Sequence, residues 1–204
     1  MNQIEALQRL RTLATPAVES RHVAALLQVT ASNATTILRR LAAEGMITHV
    51  SRGRWLVNQK IDRLALPGLI SAPCPAYVSL QSALFHHGLI EQIPSILYAV
   101  TPGRPRRLQT PMATISFHRM PPVLFKGFEL SSASDAKIAT PEKALFDLIY
   151  LAPGRSRVFS KLPELTIPRR FQWRRLKEYT ALVQSLGRRA FIAERIKWIR
   201  SASN

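Results

Sequence analysis

The sequence predicts an α+β protein in which a small helical unit with a β-hairpin precedes a larger domain of mixed strands and helices. Three observations predict this class: helical spacing of apolar residues before position 45, strand-like alternation in later segments, and basic helical segments near the end of the chain. The chain has 204 residues, of which 47% are hydrophobic, so it can bury a sizeable core. We expect a first domain over residues 1–60, a linker over 61–75 and a second domain over 76–204.

Apolar periodicity predicts three short helices in the first domain. The first begins around Ile4 and stops near Pro16, and Ser20 is placed to cap the second. Thr30 is a suitable N-cap for the third helix, which Gly45 is expected to end in a left-handed conformation. The third helix has one apolar stripe, at positions i, i+3, i+4 and i+7: Ala34, Ile37, Leu38 and Leu41.

The opposite face of the third helix is polar and basic. At about 100° per residue, the side chains that point away from the stripe or lie beside it are Ser32, Asn33, Thr35, Thr36, Arg39 and Arg40. Small hydroxyl side chains allow close approach to another surface, and arginine can form paired hydrogen bonds with guanine or contact phosphate. This pattern is typical of a helix that lies in the major groove, so we predict that these residues bind DNA.

A basic hairpin is predicted directly after the third helix. Two strand-like segments, 47–50 and 55–57, are joined by a turn at Gly53. The turn holds Arg52 and Arg54, which we predict to contact a phosphate or a minor-groove edge of DNA. Helix, helix-turn-helix and basic hairpin in this order predict a winged helix-turn-helix domain. The same arrangement can also serve protein contacts, and that alternative stays open.

Basic residues outnumber acidic residues, with 29 Lys and Arg against 12 Asp and Glu and a net charge of +17. Residues 1–60 hold 8 basic and 3 acidic side chains, residues 61–150 hold 8 and 6, and residues 151–204 hold 13 and 3. Such a surplus favours a polyanionic partner, either nucleic acid or an acidic protein. Outside the first domain, the candidate contacts to DNA or to a partner protein are Arg104, Arg106, Arg107, Arg169, Arg170, Arg174, Arg175 and Lys177. A solvated helix face is the alternative for the last five of these.

The second domain is predicted to mix strands with helices and to end in basic helices. Its predicted elements are a helix over 80–87, strands over 96–101, 113–117 and 123–130, and basic helices over 171–186 and 188–200 that are separated by Gly187. An exposed basic loop is expected over 102–107. Thr140, Pro141 and Glu142 form a typical helix start, with the acid near the positive end of the helix dipole.

The sequence contains no recognisable catalytic or metal-binding motif. Cys74 is its only cysteine, which excludes an intrachain disulfide and a cysteine zinc cluster and fits a reducing compartment. His86 and His87 are adjacent, so on a helix they diverge by about 100° and cannot share a metal ion. Glu142 and Asp147 are expected to face different directions. We therefore expect no enzyme activity, no cofactor and no metal, and a nucleic-acid-processing enzyme is the less favoured alternative.

The expected compartment is the cytoplasm. The sequence has no run of about 18 apolar residues and no apolar segment at its N-terminus of the kind that directs secretion. We therefore expect a cytoplasmic protein with no membrane partner.

Two blocks in the second domain resemble the AbiEi family. Residues 76–84 and 87–94, AYVSLQSAL and HGLIEQIP, resemble the start of that family's antitoxin domain. Residues 139–151, ATPEKALFDLIYL, resemble its A-T-P-E-K-A-L-x-D-L-x-Y-L segment. Between the blocks, the basic loop and the segment 125–128, FKGF, lie where the family has a basic loop and a phenylalanine-glycine step. The resemblance covers most of the chain.

The resemblance implies an antitoxin of a type IV toxin–antitoxin system, of the kind associated with phage defence. In that family a winged-helix N-terminus represses its own operon by binding double-stranded DNA at promoter inverted repeats. The second domain counteracts a nucleotidyltransferase toxin, by direct binding or functionally. The alternative is a stand-alone winged-helix transcriptional regulator whose second domain dimerises or senses a signal.

Overall fold

The structure, a computed structural model, describes residues 3–13, 15–57, 60–153 and 162–202. Over these ranges the protein is a mixed α+β fold with two sheets, so the predicted α+β class is confirmed. Two hydrophobic cores accompany the sheets. One is formed by residues between 6 and 57, and the other is formed mainly by residues between 66 and 199.

The N-terminal part consists of three helices and three short strands. In chain order they are α1 (Gln3–Arg11), β1 (Ala17–Glu19), α2 (Ser20–Leu27), α3 (Ala31–Ala43), β2 (Thr48–Ser51) and β3 (Arg54–Leu56). The strands form an antiparallel sheet in the order β1-β3-β2, in which Val18 lies opposite Trp55. The sequence patterns did not predict β1, since this three-residue strand is defined by its pairing with β3.

The helix boundaries follow the predicted caps with one exception. The Thr30 hydroxyl accepts a hydrogen bond of 3.3 Å from the backbone amide of Asn33, and Gly45 follows α3 with a φ of 71°. Ser20 does not cap α2, because it is already the first residue of that helix. Its hydroxyl oxygen instead accepts a hydrogen bond of 2.9 Å from the indole nitrogen of Trp55, and so ties α2 to the hairpin.

The second part follows a helical segment where an irregular linker was expected. Residues 61–75 contain a 3-10 turn over Arg63–Ala65 and then α4 (Leu66–Ile70). Leu66 and Ile70 are fully buried and lie four residues apart, so they share one face of the helix and join the larger core.

A six-stranded mixed sheet forms the centre of the second part. The elements after α4 are β4 (Tyr77–Val78), α5 (Leu80–His86), β5 (Leu97–Thr101), β6 (Arg106–Gln109), β7 (Thr114–Arg119), β8 (Phe128–Leu130), β9 (Lys137–Ala139), α6 (Pro141–Leu151), α7 (Trp173–Ala181) and α8 (Leu186–Ala202). The strand order is β6-β7-β5-β4-β9-β8. The pairs β5–β7 and β4–β9 are parallel, and the other pairs are antiparallel.

The break between the last two helices lies earlier than predicted. Residues 182–185 connect α7 to α8, and Gly187 lies in the first turn of α8. The Arg189 guanidinium donates two hydrogen bonds, of 3.1 and 2.8 Å, to the carbonyl of Val183 in this connection. A glycine in the first turn is tolerated, because the amides of that turn have no partner within the helix in any case.

α6 is the most deeply buried helix of the second part. Every residue from Glu142 to Tyr150 is buried, including the charged Lys143 and Asp147. The sequence predicted where this helix starts, but not that it is buried on every side. The structure packs α5, α7, α8 and β9 around it, so the helix has little contact with solvent on any side.

Candidate nucleic-acid interface

α3 presents to solvent the polar face that its periodicity predicts. Ala34, Leu38 and Leu41 are fully buried on the inner side. On the outer side, Thr35 is half-buried, and the exposed residues are Ser32, Asn33, Thr36, Arg39 and Arg40. The helix therefore displays two arginines beside a row of short polar side chains.

The two threonines of this face bond back to their own helix. The Thr35 hydroxyl donates to the carbonyl of Ala31 at 2.9 Å, and the Thr36 hydroxyl donates to the carbonyl of Ser32 at 3.1 Å. With their hydroxyl protons used inside the helix, the threonines offer methyl groups and oxygen lone pairs to an approaching surface. Such a surface suits the methyl group of thymine or the amino group of adenine or cytosine in the major groove.

A groove of about 640 Å³ separates α3 from the hairpin. Arg39 of α3 and Arg52 of the β2–β3 turn both line it, together with Thr35 and His49. The His49 ring packs on the ring of Trp55, with their centroids 4.4 Å apart. Two guanidinium groups from separate elements therefore lie along one groove, which is a suitable arrangement for phosphate groups.

His49 was not among the predicted contacts. Ile47 and Val50 are buried, whereas His49 between them is exposed. Strand alternation places His49 on the same side as the buried Ile47, so the sequence did not indicate that its side chain is exposed and faces α3.

Arg54, a predicted DNA contact, is engaged in contacts with the second part and with β1. Its guanidinium donates hydrogen bonds to the carbonyls of Ile70 and Ala72, and its Nε lies 3.5 Å from the carboxylate of Glu19. Only 20% of the side chain is exposed. The reason is the register of the sheet, which places Arg54 opposite Glu19 on the side of β3 that faces the second part. Arg54 therefore holds the hairpin to the second part.

Arg106 is also engaged in this junction, and the predicted loop is partly a strand. Arg106 and Arg107 begin the edge strand β6, and only Arg104 lies in the preceding loop. Arg106 donates to the carbonyl of Ser71 at 3.1 Å, and its guanidinium lies 5.0 Å from the centre of the Phe117 ring. Partial burial, and secondarily the charge of Arg54, lowers the pKa of Arg106 from its ordinary value.

The basic residues near α7 do not share one role. Arg169, Arg170 and Lys177 are exposed, and Arg174 pairs with Glu178 on the helix surface at 3.0 Å. Arg175 is instead partly buried, and its guanidinium lies 3.9 Å from the carboxylate of Glu142.

Glu142 does more than favour the start of its own helix. It is only 5% exposed, and its carboxylate accepts a hydrogen bond of 2.9 Å from the backbone amide of Gln172, just before α7. The buried carboxylate thereby attaches the beginning of α7 to α6.

A buried polar cluster lies beneath α7, with Lys143 and Asp147 at its centre. The two side chains form an ion pair, and both are 0% exposed. Asp147 accepts further hydrogen bonds from Tyr77 at 3.0 Å and from Ser79 at 2.8 Å. Burial lowers the pKa of Lys143 and raises the pKa of Asp147, and in each case the partner's charge opposes the shift.

Neither a cluster of metal ligands nor a membrane-spanning helix is present in the ranges that the structure describes. Nowhere in these ranges do three or more His, Cys, Asp or Glu side chains come together as a metal site would require. No helix within the same ranges combines the length and apolar character needed to cross a membrane.

Comparison with known proteins gives no family assignment. The chain matches no model of a known protein family and no curated protein.

Proposed function

We propose that the first 60 residues form a winged-helix unit that binds promoter DNA, with α3 in the major groove and the β2–β3 turn against the adjacent backbone. The main support is the groove in which Arg39 and Arg52 come together beside the exposed polar face of α3. The partner is double-stranded DNA. This unit's net positive charge favours such a polyanion before any specific contact is made.

The dimensions of α3 suit this role. Its 13 residues span about 20 Å, and a major groove about 12 Å wide admits a single helix. Thr35 and Thr36 would lie nearest the base edges because their side chains are short. Arg39, one turn later, can reach guanine, and Arg52 on the hairpin can reach a phosphate.

We predict that Arg39→Ala combined with Arg52→Ala weakens promoter binding by at least about 100-fold, since it removes one base contact and one phosphate contact. Loss of the phosphate contact should also reduce the salt dependence of binding by about one unit of slope. Fluorescence anisotropy with a labelled promoter fragment at several salt concentrations measures both effects.

Arg9→Ala combined with Arg11→Ala is the matched control. Both residues are exposed on α1, outside the groove, and the pair removes the same charge. Circular dichroism would establish that both double variants are folded. Equal affinity of the two double variants for the promoter would show that Arg39 and Arg52 do not form the interface.

We further propose that the protein is an antitoxin that represses its own operon and counteracts a nucleotidyltransferase toxin. The support is that the two AbiEi-like blocks, distant in sequence, form one structural unit. The ring nitrogen Nε2 of His87 lies 2.8 Å from the carbonyl oxygen of Ala139, and Tyr77 and Ser79 donate hydrogen bonds to Asp147 of α6. The residues that give the resemblance thus contact each other in the core.

Growth rescue tests the antitoxin proposal. The neighbouring reading frame is expressed alone, with the wild-type protein, and with the Arg39→Ala and Arg52→Ala double variant. We expect a growth defect that both forms relieve, because the antitoxin activity is proposed to lie in the second part. A neighbour that is harmless, or toxic and not rescued, would favour a stand-alone transcriptional regulator.

A further inference from the structure

An open groove of about 480 Å³ runs between α7 and α8, and none of the residues proposed to bind DNA lines it. α8 packs against α7 after the connection 182–185, and residues of both helices line the groove. Its floor is apolar and made of small or branched side chains. Ala181 and Ala193 are exposed there, and Ile196 is 7% exposed.

Four basic side chains surround this floor: Lys177, Arg189, Lys197 and Arg200. None of the described residues that line the groove is acidic. On α8, positions 189, 193, 197 and 200 are separated by four, four and three residues, so they share one face of the helix. Lys177 adds a positive charge from α7, on the opposite wall. The groove therefore combines an apolar centre with positive charge on both sides.

The spread of charge along the groove indicates the shape of the partner. From Arg189 to Arg200 the helix rises by about 16 Å, and basic side chains are present at both ends of this length. A small anion with one acidic group would use one end only. A DNA backbone would match the charges but would leave the alanine and isoleucine floor without an apolar partner. A helix with apolar residues on one face and acidic residues beside them matches both features.

We propose that this groove, named here the α7–α8 groove, binds an acidic amphipathic helix of a partner protein. Small floor residues allow the backbone of the incoming helix to approach closely, as Ala181 and Ala193 offer no bulk beyond Cβ. The exposed side chains of Lys177, Lys197 and Arg200 pair with the acidic residues that flank its apolar face. Arg189, whose guanidinium donates to the carbonyl of Val183, adds positive charge at the other end. The proposal is separate from DNA binding, because the groove shares no lining residue with the groove beside α3.

The test uses the full chain and two labelled probes. The first is a peptide of about 14 residues, long enough to span the groove, with leucine at i, i+3, i+4 and i+7, glutamate beside this apolar face and alanine on the opposite face. The second is a DNA duplex of unrelated sequence. We expect the peptide to bind at least about tenfold more tightly than a scrambled peptide of the same composition. Equal binding of the two peptides, or binding of neither, would overturn the proposal.

The Ala193→Arg variant distinguishes a groove that binds a helix from a basic surface that binds any anion. The change fills the floor while it adds a positive charge, and arginine is well tolerated in helices. We expect about tenfold weaker binding of the peptide and no loss of DNA binding. If peptide binding is unchanged or stronger in this variant, the apolar floor is not used and the proposal is wrong.

A charge comparison completes the test. The double variant with Lys177→Glu and Lys197→Glu should bind the peptide about tenfold more weakly. The control, Arg169→Glu with Arg170→Glu, makes the same charge change at exposed positions outside the groove and should have little effect on peptide binding. Equal loss in both double variants would show non-specific attraction and overturn the proposal. The double variant with Arg39→Ala and Arg52→Ala should bind the peptide with wild-type affinity. Failure of the DNA-binding proposal can therefore be distinguished from failure of the peptide-binding proposal.

Discussion

Replacement of Asp147 by alanine is expected to destabilise the protein by about 3–5 kcal/mol, because it leaves the Lys143 ammonium buried without a counter-charge. Both side chains of the pair are completely inaccessible to solvent. The hydroxyl groups of Tyr77 and Ser79 would lose their acceptor at the same time. Urea unfolding followed by fluorescence would show the loss as a lower midpoint.

The exposed pair of α7 provides a control for this prediction. Arg174 and Glu178 form an ion pair of the same i, i+4 spacing, with side chains 90% and 58% exposed. Glu178→Ala should therefore change the free energy of unfolding by less than about 1 kcal/mol. Lys143→Met with Asp147→Leu should recover most of the stability lost in Asp147→Ala, since no buried charge remains. A wild-type urea midpoint for Asp147→Ala would contradict the assignment of a charged, paired lysine.

Substitution of Gly127 by alanine is expected to destabilise the protein by about 2–5 kcal/mol, from backbone strain and a steric clash together. Gly127 has a φ of 78°, which residues with a Cβ rarely adopt. A Cβ at this position would contact the Tyr179 hydroxyl and lie only 2.9 Å from the Cζ of the same ring and 3.2 Å from the Cδ of Lys143. Tyr179 belongs to α7, so the clash would act on the packing of that helix over the buried cluster.

Gly88→Ala isolates the contribution of the backbone. Gly88 has a similar φ of 70°, but a Cβ there would meet no atom within 4 Å. The free energies of unfolding of the two variants, measured by heat and by urea, should differ by the energy of the clash. In the Gly127→Ala background, Tyr179→Leu should restore part of the lost stability. Equal destabilisation by Gly127→Ala and Gly88→Ala would show that the close packing of Gly127 against Tyr179 has no energetic importance.

The sequence predicts local features of this fold well and features that depend on distant pairing poorly. The stripe of α3 and the cap at Thr30 depend on residues within a few positions, and both are present in the structure. β1 was missed, because a three-residue strand has no pattern of its own. Lys143 and Asp147 were not predicted to be buried, since charged residues ordinarily lie at the surface and only the surrounding helices reveal otherwise.

In the candidate site, too, the features set by nearby residues could be predicted and those set by distant residues could not. The exposed face of α3 follows from helical periodicity, so the positions of Arg39 and Arg40 could be inferred from the sequence. Strand alternation gives the side of the hairpin on which a residue lies, but not the element that it meets there. For Arg54, the carbonyl groups of Ile70 and Ala72 are 16 and 18 residues away in sequence, and no local pattern indicates their proximity.

The junction formed by Arg54 and Arg106 has a consequence for spacing on an operator. Both guanidinium groups donate to the carbonyl of Ile70, so the hairpin and the edge strand β6 share one anchor. Such a joint limits rotation between the two parts. If two copies read an inverted repeat, one inserted base pair turns the second half-site by about 34–36° around the duplex. A stiff joint does not allow the DNA-binding unit to rotate by that angle relative to the second part. We therefore expect the protein to bind operators with few half-site separations, whereas a flexible linker would allow many.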